Sequence, residues 1–262
     1  LKRFTQWDFL ELVKKYDIAW HEKKLGQLFC DGKAQAILDM LLDECAEAGT
    51  HIRMNCSIEK IETLSETSAP FRYRVFTNQG NIRAESVVIA TGGLSIPTLG
   101  ASGFGYNIAK EFDLKLHPLS AGLVPFTLSP EQLLPFKACV GNSLEVTAQC
   151  DDQQFTENLL FTHRGLSGPA MLQISSFWRP GKILSINLLP FMDLLSHLKE
   201  LQKQRPKVQL LTIISELMTR SLAETFCGLW CDNKSLADYS YKEFETIANH
   251  FHHWELIPAG TE

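Results

Sequence analysis

A glycine-rich segment, IATGGLSIPTLGASGFGYNIA at residues 89–109, holds the residue types best suited to bind a ligand. It follows an apolar run and leads into YNIAKEF, which is predicted to be helical. Because glycine lacks a Cβ, the backbone can turn sharply after a strand and approach a ligand closely. The amino end of the following helix would present N–H groups to an anion or a polar ring edge. The segment therefore predicts a bound cofactor; the alternative is a loop that glycines merely cap.

The other reactive side chains form no comparable pattern. The seven cysteines are scattered and lack paired zinc-type spacing, which favours reduced thiols. Cys227 and Cys231, four apart on a predicted helix, are either two buried apolar side chains or half of a metal site. His250, His252 and His253 are crowded in sequence, but neighbours so close do not converge on one metal. We therefore predict no metal site.

Composition excludes several classes of protein. The chain has 262 residues, of which 45% are hydrophobic and 21% charged, as in an ordinary globular protein with a substantial core. Its 25 basic and 30 acidic residues give a net charge of -5, so we expect no nucleic acid partner and no membrane partner. Neither a membrane-spanning run nor a signal peptide is evident, which predicts a cytoplasmic location. The sequence does not begin with methionine, and we expect it to be part of a longer protein.

The segments before the glycines predict helices and strands in alternation. Apolar residues recur at helical spacing in 4–18, with Thr5 as the N-cap, and again in 33–49, where Gly49 ends the helix. Period-two alternation around a turn signal, NQGN at 78–81, predicts a hairpin.

The run VVIA at 87–90 has no alternation at all. Such a run is typical of a strand buried on both faces of a parallel sheet. With the helix and the hairpin before it, this strand predicts an α/β nucleotide-binding layer.

A second region begins near His117. Its first half consists of short β-rich segments separated by Gly, Pro, Asn and Asp, and from Asp193 onwards apolar residues recur at helical spacing. The region is predicted to be a compact antiparallel sheet or barrel that carries a helical cap.

Four separated motifs resemble one known family, in the same order along the chain. They are HEKKLGQLFCDGKAQAILDML, the glycine pattern ATGG-x-S-x-P-x-x-G-x-x-G-x-G-Y, LLFTHRGLSGPAMLQIS and FHHWELIPAGTE. The chain is similar through them to the HI0933-like FAD-dependent oxidoreductases, relatives of the glutathione-reductase and fumarate-reductase flavoproteins.

The resemblance implies the fold class and the domain boundaries. Family members carry an amino-terminal G-x-G-x-x-G and a carboxy-terminal flavin segment, and neither motif occurs in this sequence. The implied fold is a partial, glutathione-reductase-like α/β FAD-binding layer with an inserted barrel-like and helical domain. The central part of the FAD-binding domain is expected at 1–116 and the inserted domain at 117–255. The start of the return to the FAD-binding domain is expected at 256–262.

Residues that match the family's positions are expected to contact FAD. Ile58 lies where similar flavoproteins bracket the adenine with backbone groups, although it is equally interpreted as a plain strand residue. The other expected contacts lie at the strand end and at the start of the helix beside the flavin: Ala90, Thr91, Gly92, Gly93, Gly103 and Gly105.

The third motif yields two candidate catalytic residues, His163 and Arg164. Ser167 or Gly168 is expected to cap a helix that begins at Pro169, which holds the loop 162–168 at a helix amino end. Arg164 and that helix end would stabilise negative charge on a reduced flavin or a substrate, and His163 would exchange a proton near neutral pH. The alternative is a structural helix start, with Arg164 in a salt bridge between domains.

The resemblance implies an FAD-dependent oxidoreductase that transfers hydride through the flavin. Its expected substrate is a small organic molecule, which undergoes reduction of an activated C=C bond or oxidation of an amine, with NAD(P)H as a candidate electron donor. The alternative from another class is a non-catalytic ligand-binding or interaction module on the same scaffold. The oligomeric state is not predicted.

Overall fold

The computed structural model describes residues 2–23, 26–65, 70–96, 98 and 100–262, so Pro97 of the glycine pattern lies outside the described residues. The chain divides into two compact units, Leu1–Leu116 and His117–Glu262. Each unit has its own set of strands and its own buried cluster.

The first unit opens with a capped helix. Helix α1 (Gln6–Lys15) starts at Thr5, whose side chain accepts a hydrogen bond from the backbone N–H of Asp8 while Asp8 accepts one from the backbone N–H of Thr5. This capping box confirms the predicted N-cap, because it satisfies N–H groups that have no partner inside the helix. A short hairpin follows, formed by β1 (Trp20–Glu22) and β2 (Leu28–Cys30).

Helix α2 (Gln35–Glu47) ends before Gly49, which adopts a φ of +68° as a helix-terminating glycine does. Met40 is its buried side chain, whereas Leu41 is 43% exposed.

A three-stranded antiparallel meander carries the next helix of the first unit. Strands β3 (Ile58–Thr63), β4 (Tyr73–Thr77) and β5 (Ile82–Ala84) pair in that order, as the alternation predicted for β4 and β5. Helix α3 (Phe104–Glu111) packs on one face of the meander, where Ile61, Val75 and Ile108 form a small buried cluster.

The predicted buried strand at 87–90 is wrong. Val87–Ala90 are in no strand, and Val88 is 84% exposed. A strand exists only where a neighbouring strand accepts and donates its backbone hydrogen bonds, and no described segment pairs with these residues. Without parallel neighbours on either side, the apolar run stays an extended segment between β5 and the glycines.

The second unit contains one seven-stranded antiparallel sheet. Its strand order is β11–β10–β7–β8–β9–β6–β12. The strands are β6 (Phe126–Thr127), β7 (Ser143–Cys150), β8 (Gln153–Phe161), β9 (Gly165–Ser167), β10 (Leu184–Asn187), β11 (Trp254–Leu256) and β12 (Gly260–Thr261).

The sheet must curl into a barrel. Strands β11 and β12 are at opposite edges of the order, yet only residues 257–259 connect them. The four Cα–Cα steps across that connection reach at most about 15 Å. Seven strands laid flat would hold their outer strands about 29 Å apart. The short connection therefore draws the two edges together, and Ala259 N–H donates to Thr127 O of β6 at 2.9 Å.

Helices cover this barrel and share its core. They are α4 (Pro130–Leu133), α5 (Pro169–Ser175), α6 (Leu194–Gln204), α7 (Leu210–Leu217), α8 (Arg220–Trp230) and α9 (Tyr241–His252). Phe161 and Trp254 of the sheet meet Phe226 of α8 and Phe136 of a 3₁₀ turn, with ring centroids 5.2–6.3 Å apart. The predicted antiparallel barrel with a helical cap is therefore one packed body.

Two further findings concern boundaries and membranes. Residues 256–262 belong to the second unit of this chain, because β12 pairs with β6, and their expected role as the start of the return to the FAD-binding domain stays a prediction. Among the described residues, none of the helices is long and apolar enough to cross a membrane.

Candidate functional site

The glycine-rich segment folds back against the first turn of α3. Gly92 adopts a φ of +71°, a conformation that residues with a side chain rarely adopt. At Gly93 a Cβ atom would lie 3.1 Å from the Tyr106 hydroxyl oxygen, so a larger residue would press on the helix. The backbone turn predicted at this position is therefore present.

Gly105 makes the closest approach within this segment. A Cβ atom there would lie 2.9 Å from Thr91 Oγ1 and 3.3 Å from Ile89 Cγ2. The helix and the extended segment can touch only because residue 105 has no side chain. The structure thus brings Ile89–Gly93 and the start of α3 together, as a shared cofactor contact requires.

The amino end of α3 is suited to donate hydrogen bonds to a ligand. Gly103 is its N-cap and supplies no side-chain cap, although Phe104 N–H donates to Ser102 Oγ at 3.4 Å. The first turn has no acidic residue. Since first-turn N–H groups lack partners inside a helix, this end favours an anionic or carbonyl group.

Ile58 lies apart from this cluster in the meander. It begins β3 opposite Thr77, at an irregularity in the pairing with β4, and it is 41% exposed. The β3 residue that packs towards α3 is Ile61. The expected backbone contact of Ile58 with adenine stays a prediction.

An apolar cavity of about 340 Å³ lies between the meander and α3. Its lining combines residues of the meander, of the extended segment and of the helix: Ile61, Tyr73, Val87, Ile89, Gly105, Ile108, Ala109, Phe112 and Leu114. The extended segment thus has one side on this cavity and its glycines against the helix end.

The candidate catalytic residues lie in the second unit, at the tip of a hairpin between β8 and β9. Thr162 Oγ1 accepts hydrogen bonds from the N–H groups of Arg164 at 3.3 Å and Gly165 at 3.1 Å. His163 is exposed, and the Arg164 guanidinium forms an ion pair with Glu262 of the same unit. The predicted loop 162–168 is therefore a tight turn followed by strand β9.

Two glycines of that hairpin have a structural role that the sequence analysis missed. A Cβ atom at Gly165 would lie 2.2 Å from Phe126 O, and one at Gly168 would lie 2.5 Å from Asn158 O. Gly168, with no side-chain cap, is the N-cap of α5, and Pro169 is its first residue as predicted. The spacing of the glycines in R-G-L-S-G-P was the available signal. It does not show which strands face these glycines, because those strands lie elsewhere in the sequence.

Two of the crowded histidines and the two cysteines contact other side chains of this chain. His250 stacks on Trp230 at a ring separation of 5.4 Å, and His252 Nδ1 lies 2.9 Å from Asn187 Oδ1. Burial lowers the pKa of His252. A hydrogen bond between the two thiols lowers the pKa of Cys227 and raises that of Cys231. In the part of the chain that the structure describes, no group of three or more potential ligands could hold a metal ion.

Comparison with known proteins gives two family-model matches, which overlap at residues 120–156 within the second unit. Residues 1–156 match the family model of the HI0933-like protein Rossmann domain, and residues 120–262 match that of the HI0933-like protein barrel and H2TH domain. A protein of Escherichia coli (strain K12) is 44% identical over 265 residues, and one of Haemophilus influenzae is 37% identical over 268 residues.

Both relatives are named ribosomal RNA dihydrouridine synthase. The matches cover 100% of this chain and 65% of each relative, so the chain spans about two thirds of their length. Two family models that each cover more than half of the chain identify it, and the chain belongs to the HI0933-like family, with that family's Rossmann domain followed by its barrel and H2TH domain.

Proposed function

We propose that this protein is an FAD-dependent reductase that converts uridine to dihydrouridine in ribosomal RNA. The observation that carries the proposal is the contact of Thr91 and Gly93 with the first turn of α3, within the segment that matches the HI0933-like Rossmann-domain model. The names of the two relatives supply the substrate. Dihydrouridine is uridine whose C5=C6 bond is saturated, so its formation is the reduction of an activated C=C bond.

The residues of the first unit fit FAD. Gly92 turns the backbone directly after the segment 87–90, and the first turn of α3 offers N–H donors without a competing carboxylate. These donors would hold and orient an acceptor group of the cofactor. When bound and in its two-electron-reduced form, the flavin would supply the hydride that reduction of a C=C bond requires, and a proton would complete the addition. The comparisons lend no support to NAD(P)H as the electron donor, and the proposal names none.

RNA replaces the small organic molecule that was expected as the substrate. The expectation of no nucleic acid partner came from the net charge of -5. Net charge describes the whole surface, whereas an enzyme can bind a nucleic acid backbone through a local group of basic side chains.

The FAD site is tested at Gly103. A Cβ atom there meets no protein atom within 4 Å, so Gly103→Ala should leave the fold intact and place its methyl group where the cofactor is expected. We expect the intact protein to purify with bound flavin and Gly103→Ala to bind FAD at least tenfold more weakly. Gly32→Ala, whose Cβ also meets no protein atom within 4 Å, is the matched control and should bind FAD normally.

A colourless intact protein that cannot be reconstituted with FAD would favour the non-catalytic module. The substrate is tested separately by mass spectrometry of ribosomal RNA from cells that lack the gene. Dihydrouridine should disappear from that RNA and return when the gene is restored. Unchanged dihydrouridine would contradict the proposed substrate while leaving the FAD site standing.

The roles of His163 and Arg164 belong to the same proposal. His163 would hold a proton near neutral pH, and Arg164 would stabilise negative charge on the substrate. Because both side chains are exposed, His163→Ala and Arg164→Ala should each lower turnover with FAD occupancy and melting temperature nearly unchanged.

The partner of Arg164 provides the control for this test. Glu262→Gln weakens the ion pair and leaves the guanidinium in place, so it should retain turnover. If all three variants turn over normally, or lose activity only through unfolding, the hairpin is structural, with Arg164 bound to Glu262.

A further inference from the structure

The outward face of the meander carries a row of charged residues. Arg74 of β4 lies directly opposite Glu62 of β3 on one side and Arg83 of β5 on the other. The next row, which includes Ile61 and Val75, packs on α3. Since successive residues of a strand point to opposite faces, the row with the two arginines faces away from that helix.

Arg74 and Arg83 form an unfavourable pair. Directly opposite residues have Cβ atoms about 5 Å apart, and like charges at such positions destabilise a sheet. Glu62, the acid beside Arg74, is bound by Lys60 Nζ at 2.7 Å. Neither arginine forms an ion pair or donates a hydrogen bond to any residue within the described ranges. Among the described residues, the sheet therefore holds two guanidinium groups side by side, neither with an ion-pair or hydrogen-bond partner.

Two aromatic side chains near these arginines are also suited to an RNA contact. The Arg83 guanidinium lies 5.1 Å from the centre of the Phe71 ring. Phe76, two residues after Arg74 on the same side of β4, is half-buried opposite Lys60. Arginine forks match phosphate oxygens, and aromatic rings on a sheet face stack with unpaired bases.

Arg72 lies beside this row, and its side chain contacts the residues that lead to the glycine-rich segment. It precedes Arg74 by two residues, and its Nε donates to Glu85 O at 2.9 Å while its Nη2 donates to Ser86 Oγ at 3.3 Å. Residues 85 and 86 lead directly into the extended segment before Gly92. The arginines thus lie on the meander that precedes the candidate FAD site in the same unit.

We propose that this arginine face, formed by Arg72, Arg74 and Arg83, binds the sugar–phosphate backbone of the RNA substrate. The inference rests on the proposed function, because it takes RNA to be the substrate. Phosphate groups would neutralise the opposed arginines, so binding removes a repulsion that the free protein retains. A local contact of this kind also reconciles an RNA partner with a net charge of -5.

The double variant Arg74→Gln/Arg83→Gln in the intact protein tests the face. Binding to a ribosomal RNA fragment is measured by equilibrium titration at several salt concentrations. We expect binding about 10- to 100-fold weaker and a salt dependence whose slope falls by about 1.4 to 1.8, since each of two phosphate contacts contributes roughly 0.7 to 0.9. The melting temperature should be unchanged or higher, because a like-charge pair is removed.

The matched control is Lys203→Gln/Lys207→Gln, which removes the same charge from two exposed lysines of the second unit. Among the described residues these lysines form no ion pair, and the control should bind RNA nearly as tightly as the unaltered protein. If the double arginine variant binds like the unaltered protein, or the control loses as much affinity, the arginine face is overturned and the RNA substrate stands. If the unaltered protein does not bind ribosomal RNA, the proposed substrate fails and the face fails with it.

Discussion

Gly165 and Gly168 occupy positions where neighbouring strands leave no space for a Cβ atom. At Gly168 the nearest atoms belong to the backbone of β8, with Asn158 O at 2.5 Å and Leu160 N at 2.9 Å from an ideal Cβ. Backbone atoms cannot move aside as the end of a flexible side chain can. These two glycines therefore fix how closely β9 and the start of α5 approach the rest of the barrel.

A comparison of Gly168→Ala with Gly181→Ala isolates this close approach. The two glycines have similar φ values, +92° and +88°, but an ideal Cβ at Gly181 meets nothing within 4 Å. Both substitutions place a side chain at a positive φ, which costs on the order of 1–3 kcal/mol. Gly168→Ala should lower the free energy of unfolding by about 1–3 kcal/mol more, because overpacking adds to it. If urea unfolding shows that both variants lose the same free energy of unfolding, the barrel relaxes enough to accommodate a methyl group at residue 168.

Sequence reasoning predicted local helix ends correctly but did not reveal contacts between distant residues. Thr5, Gly49 and Pro169 were predicted correctly because capping depends on neighbours three or four residues away. The reason for Gly168 lies in β8, and the partner of Arg164 is Glu262 at the far end of the unit. No local pattern could reveal either contact.

Strand predictions were likewise correct where the cause is local and wrong where it depends on distant residues. The hairpin around NQGN was predicted from alternation and a turn signal, and it forms as β4 and β5. The apolar run at 87–90 was predicted as a strand from its lack of alternation and from the elements before it, and it has no pairing partner within the described residues. Strand β9, three residues long, was read as a loop because it is too short to alternate.

Helix α9 depends on a capping box that is sensitive to acid. Ser240 Oγ accepts from Glu243 N–H, and the Glu243 carboxylate accepts from Ser240 N–H at 2.7 Å. Lys234 Nζ lies 2.5 Å from the same carboxylate. The hydrogen bond from Lys234, followed by those from Ser240, lowers the pKa of Glu243 to about 2.

Acid should therefore weaken the second unit through Glu243. A carboxyl whose pKa is lower in the folded state binds more protons when unfolded, so its contribution is complete above the ordinary pKa of 4.5 and is lost as pH falls towards about 2. Glu243→Gln keeps an acceptor for Ser240 N–H but removes the charge. We expect the stability difference between the unaltered protein and Glu243→Gln to shrink across that window in urea titrations.

Glu245→Gln is the control for this measurement. Glu245 is on the same helix and is in no ion pair with any residue that the structure describes. Its substitution should leave the acid dependence unchanged. A constant difference between the unaltered protein and Glu243→Gln from neutral pH to pH 3 would contradict the role assigned to Lys234 and Ser240.

The two units differ sharply in their buried cores. Among the described residues, five apolar side chains of the first unit are buried: Val13, Met40, Ile61, Val75 and Ile108. The remaining buried apolar side chains form one cluster in the second unit, which joins the barrel to its helices. Each fully buried large apolar side chain contributes roughly 1.5–3 kcal/mol, so most of the hydrophobic stabilisation lies in the second unit.

Hydrogen exchange on the 262-residue chain should reveal this difference. Strands β7, β8 and β10 are each paired on both sides and lie over a continuous core, so their amides should exchange only when the whole second unit unfolds. Amides of the meander should exchange at least tenfold faster, because only a small cluster and one helix hold it. Residues 87–90, which have no strand partner in the described part of the chain, should exchange fastest.

A second measurement separates intrinsic stability from mutual support between the units. Residues 117–262, expressed alone, should keep the slow exchange of β7, β8 and β10, because every strand that pairs with them lies inside that segment. Residues 1–116 alone should show little protection, since their buried apolar side chains are few. Uniform protection across both units of the whole chain would contradict this account, and so would loss of protection in the isolated second unit. Either result would mean that the barrel core is not the chief source of stability.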